Sequence, residues 1–112
     1  MRYEIIFRGE LVGTSDLEDR DESIGVAIGR FVPGPAYESV RPVFLHFTEA
    51  EEQNDAKKMK LYYDARQRLQ LTLRNQHGLP IETTAIHIDT ESYEVVVILA
   101  SVKEVSKLDQ AT

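Results

Sequence analysis

His87 and Asp89 are the residues whose types and spacing come closest to chemistry. They lie in the run Ala-Ile-His-Ile-Asp, which alternates as a strand does, so both side chains fall on the face opposite Ile86 and Ile88. A histidine beside a carboxylate supplies two metal ligands, or a base with the group that orients it. A metal site needs further ligands, and no residue spacing names them, so no metal is assigned. Tyr37 and Tyr62 stand on segments of helical spacing and supply aromatic walls for a pocket, a role that competes with ordinary core packing. His87, Asp89, Tyr37 and Tyr62 are therefore the candidate ligand-binding residues.

The second concentration is acid. Asp16, Glu18, Asp19, Asp21 and Glu22 fall within residues 14–23, where Leu17 is the one large apolar side chain. This composition predicts a solvated surface loop, suited to meeting a basic partner. Asp19, Asp21 and Ser23 share the alternate spacing of a calcium loop, but the glycine position holds Ile24 and the bidentate glutamate position holds Arg30.

Other catalytic signatures are missing. There is no Gly-x-Ser-x-Gly elbow, no G-x-G-x-x-G and no phosphate loop ending in Gly-Lys-Ser/Thr. The chain has no cysteine, which removes disulfides, thiolate metal sites and a cysteine nucleophile. No cofactor is implied, and the residues support a binding protein over an enzyme.

The net charge is −6, unevenly spread: residues 1–55 hold 5 Lys/Arg against 12 Asp/Glu, residues 56–112 hold 8 against 7. An acidic chain repels polyanions, which argues against nucleic acid. Lys57, Lys58, Lys60, Arg66 and Arg68, with Tyr62 and Tyr63 between them, read as a solvated helix face rather than a nucleic-acid surface. The first residues lack a signal peptide's apolar run, and the longest apolar run, residues 95–100, falls far short of the ~20 residues that span a bilayer. The expectation is a soluble cytoplasmic protein without membrane contact.

At 112 residues the chain predicts one domain over 1–112, with roughly two-thirds of its surface buried on folding. Tyr3, Ile5 and Phe7 alternate with Arg2, Glu4 and Arg8, a half-buried strand; Gly9 and Gly13 flank a short return. Residues 24–32 alternate again, with Gly25, Ala27, Gly29 and Phe31 on one face, a pattern that lets another backbone pack close. Tyr37, Val40, Phe44 and Phe47 make a helical stripe within residues 35–53, interrupted by Pro42, which either kinks one helix or separates two elements. A second helix, capped by Asn54 or Asp55, covers 55–68. Residues 69–102 read as a three-stranded meander with turns at 75–78 and 89–92. Ile81 has opposite parity to Ile86 and Ile88, which predicts a bulge or a late start near residues 82–84. Residues 95–100 are apolar on both faces, so that strand should be central and covered twice.

The sum is α+β: a mostly antiparallel sheet of four to six strands, with one or two helices inserted before the meander. The function that follows is a small protein-interaction or regulatory domain, acting through its acidic surface or by self-association as a homodimer. The rival is a small-molecule or metal-dependent protein that uses His87 and Asp89.

Overall fold

Every second residue of the opening segment can enter a core while Glu4 stays outside, which is the condition for a half-buried strand. In the computed structural model, which describes residues 2–108, this segment is β1 (Tyr3–Phe7). Arg8 and Gly9 both take positive φ, the two-residue turn whose twist suits a hairpin, and β2 (Glu10–Ser15) returns antiparallel. Val12 is the extra residue of a bulge opposite Ile5 and Ile6, and it is fully buried.

Residues 14–23 are not the surface loop that their charge predicts. β2 runs on to Ser15, Leu17 enters the core, and β3 (Asp19–Asp21) is a short strand. Leu17 does this at φ +45. Left-handed backbone costs on the order of 1 kcal/mol and burying a leucine contributes roughly 2, so burial prevails. β4 (Val26–Arg30) pairs with β3 and turns its small face inward: Ala27 and Gly29 are buried. A Cβ on Gly29 would collide with the Ser15 and Glu18 side chains and the Leu17 backbone, the close approach its sequence predicts.

β5 (Val32–Pro33) then pairs with β2. α1 (Tyr37–Glu52) is a single helix with Pro42 inside it. Tyr37, Val40 and Phe44 are buried, whereas Pro42 is exposed. The donor that proline lacks would have served the Glu38 carbonyl, and both residues lie on the exposed side of the helix. Asp55 caps α2 (Ala56–Leu69), its carboxylate accepting the Lys57 and Lys58 amides at 3.0 and 3.2 Å. Leu69 closes this helix instead of opening the next strand, and Gln70 takes the left-handed cap conformation.

β6 (Thr72–Asn75) and β7 (Pro80–Ile81) form a hairpin, with the Asn75 side chain accepting the His77 and Leu79 amides and Gly78 at φ +84. β8 (Thr83–Asp89), β9 (Glu94–Leu99) and α3 (Val102–Leu108) complete the described chain.

The class is α+β and every strand pairing among the described residues is antiparallel, but the strands make two sheets. The first has the order β5-β2-β1-β6-β7, the second β3-β4-β9-β8. The middle strand of the 69–102 meander divides at Glu82: β7 stays with β6, and β8 crosses to β9. The parity break between Ile81 and Ile86 is this crossing. Tyr3, Ile5, Leu73 and Ile81 of one sheet and Ala27, Ile86, Val95 and Val97 of the other are buried in one core cluster. β9 is interior to its sheet, as its apolar faces predict, yet the second face is only partly covered, since Ile98 is 40% exposed. α1 touches both β2 and β8, and α3 touches β7 and β9. The Glu104 carboxylate of α3 accepts the Glu82 amide at 3.3 Å, where the chain changes sheets. No helix among the described residues is long and apolar enough to cross a membrane.

Candidate functional site

Alternation along β8 sends His87 away from Ile86 and Ile88, as its parity requires, and there it meets the helical hairpin. Phe44 and Phe47 of α1 and Tyr62 of α2 surround the imidazole, with ring centroids 5.8, 4.4 and 5.7 Å away. The helical stripes of α1 and α2 place these rings on one side, so the cluster follows from the spacing. His87 Nδ1 lies 2.5 Å from the Tyr62 hydroxyl.

Burial decides the protons. Tyr62 has no exposed surface, and burial pushes its hydroxyl up to about 12. Burial, and then the Arg66 guanidinium, hold His87 below the ordinary histidine value. Tyr62 therefore keeps its proton, and its hydroxyl shares a hydrogen bond with Nδ1 of the neutral imidazole. Arg66 in turn donates to the Tyr62 oxygen at 3.5 Å, and its guanidinium carbon sits 5.3 and 5.1 Å from the Tyr62 and Tyr63 ring centroids. The result is a chain of contacts that links guanidinium, phenol and imidazole.

Asp89 acts on His87 through its charge and makes its hydrogen bonds elsewhere. Its carboxylate accepts the Glu91 and Ser92 amides at 2.9 and 3.1 Å, building the β8–β9 turn. The Ser92 amide is the main reason its carboxyl lies below the usual range. Among the described residues, no three His, Asp or Glu side chains converge as a metal site. Tyr37 is apart from Tyr62 as well. It is buried at the start of α1 against Phe31 and Tyr93, at 5.2 and 6.4 Å, with its hydroxyl raised first by burial.

The acidic residues also divide. Asp21 accepts the Ser23 amide and hydroxyl in the β3–β4 turn, and Asp16 and Glu22 are exposed. Glu18 and Asp19 instead border an open groove of about 610 Å³ between β3, the bend joining β4 to β5, and the β8–β9 turn. Glu94 and Arg30 share its wall, so three carboxylates stand against one guanidinium. Glu18 is fixed by the Arg30 backbone amide, which donates to it at 3.0 Å. The apolar part of the groove comes from Val32, 55% exposed, and Tyr93, 43% exposed. Tyr37 is linked to this site through its ring contacts with Phe31 and Tyr93, which both line the groove.

Glu94, Arg30, Val32 and Tyr93 carry no signal in the sequence that ties them to residues 16–22. β3 and β4 make a local hairpin, but the pairing that sets Glu94 beside Arg30 joins β4 to β9 across more than sixty residues of chain. Arg66 was visible only as part of a basic helix face. Compared with known proteins, the chain matches no protein family, no curated protein and no solved structure.

Proposed function

We propose that this protein is a small protein-interaction domain that takes a basic segment of a partner into the groove beside β3. One observation carries the reading: exposed Val32 and Tyr93 lie in the same concavity as the carboxylates of Glu18, Asp19 and Glu94. Exposed aromatic and aliphatic side chains serve as anchors for a partner's apolar residues, and a carboxylate rim selects lysine or arginine around them. Phosphate polymers and anionic membranes are repelled by the same rim.

The reading is tested by titrating a Lys/Arg-rich peptide that carries one central aromatic residue. Reversing two rim charges, Asp19→Lys with Glu94→Lys, should weaken binding about tenfold or more and flatten its salt dependence. Glu51→Lys, on the exposed face of α1, should leave it unchanged. Equal affinity for the rim variant and the parent would overturn the assignment.

A further inference from the structure

We infer that the cleft between the end of α2 and the edge strand β8 binds a small organic carboxylate, with Arg66 as the residue that grips it. β8 ends its sheet, so among the described residues its far side has no neighbouring strand. α2 stands beside that edge without sealing it and leaves a cavity of about 280 Å³, a size for a small molecule and not for a chain segment. Thr83, Thr84, Ala85 and Ile86 all line it. Four successive residues on one wall do not fit a strand face, where neighbours point to opposite sides. They fit a strand approached along its backbone edge, and the pairing of β8 with β9 is bulged between Thr83 and Ala85 at this place.

The cleft has one cation. Arg66 is half-buried, and among the described residues its guanidinium meets two aromatic rings and one phenol, with no carboxylate. Arg74 on β6, by contrast, has Glu4 at 2.9 Å. A half-buried guanidinium that has no carboxylate partner leaves forked donors available, and these match a carboxylate. Its orientation is set in advance by Tyr62 and Tyr63. The backbone edge of Thr83 to Ile86 and the Gln70 side chain supply the polar lining, the Thr84 hydroxyl being taken up by the Ile98 carbonyl, while Leu71 and Ile86 provide an apolar wall. The ligand is therefore a small carboxylate with a short apolar body. This site is separate from the acidic groove, and neither inference depends on the other.

The test is two-dimensional NMR of the labelled full chain titrated with butyrate, and separately with inorganic phosphate. Saturable butyrate shifts at the Thr83 to Ile86 amides and the Arg66 Nε–H, weakened about tenfold or more in Arg66→Gln and unaltered in Arg68→Gln, support the site. Because Arg66 also packs on two rings, Gln70→Glu serves as a second variant. It leaves Arg66 in place and sets a carboxylate in the cleft, and it should abolish butyrate binding with the native spectrum retained. No saturable shift, shifts equal in Arg66→Gln or Gln70→Glu and the parent, or binding of phosphate in preference to butyrate would each overturn the proposal.

Discussion

His87 is set among three aromatic rings with its one described hydrogen bond shared with a buried phenol, and this makes the molecule sensitive to acid at one residue. α1 faces it with Phe44 and Phe47, α2 with Tyr62 and Arg66, and its own strand with Asp89. Protonation would give Nδ1 a hydrogen aimed at a hydroxyl that already receives one from Arg66. Its value in the folded state lies below the ordinary one, so the unfolded chain binds the proton first. The stabilisation is present in full above the unfolded value of about 6.5 and is lost as the pH falls through the folded one. Urea midpoints should therefore decline on acidification below about pH 6.5, and His87→Gln should flatten that decline. An unchanged slope in the variant would remove His87 as its source. Asp89 contributes with the same sign in a lower window, since its carboxyl also lies below the usual range. His87 and Tyr62 could both be nominated from residue type and spacing. That they touch could not, because a strand and a helix must first be docked.

At the scale of elements, faces were legible where composition was one-sided. The small face of β4 announced a close approach, and Gly29 meets the backbone of Leu17 there. Gly29→Ala should lower unfolding stability by about 1–3 kcal/mol in urea titrations, since the obstacle is backbone and cannot swing aside. An unaltered midpoint would mean that the two segments can separate. The helical hairpin was equally readable, from the stripe of α1 and the Asp55 cap of α2. β3 was not. Its residues, Asp-Arg-Asp, have no propensity for strand, and they adopt it because Leu17 is anchored on one side and β4 offers an edge on the other.

At the scale of the molecule, the α+β class came from counting elements, and the division into two sheets lay beyond any local signal. The parity slip at Ile81 marked the crossing at Glu82 without saying where β8 would go, because its destination depends on pairings made elsewhere. The strand that changes sheets also ties them together: Glu82 N–H is held by Glu104, and its carbonyl accepts the Ala100 amide at 3.0 Å. Amides of β6 and β9, the one in the first sheet and the other in the second, should accordingly share one opening free energy in native-state hydrogen exchange. Two well-separated classes would show that the sheets open independently.

The same layout sets a timetable for the nascent chain. In each sheet the decisive partnership joins the first third of the sequence to a strand far downstream: Ile5 with Leu73, and Ala27 with Val97, each about seventy residues apart. A ribosome that has released β1 to β5 and both long helices has completed neither sheet. β1 still lacks β6, and β4 has an open edge until β9 emerges. The helical hairpin can form early, but the edges of β1 and β4 must wait in solution or in the care of a chaperone, and that interval is when the chain is most open to pairing with the wrong strand.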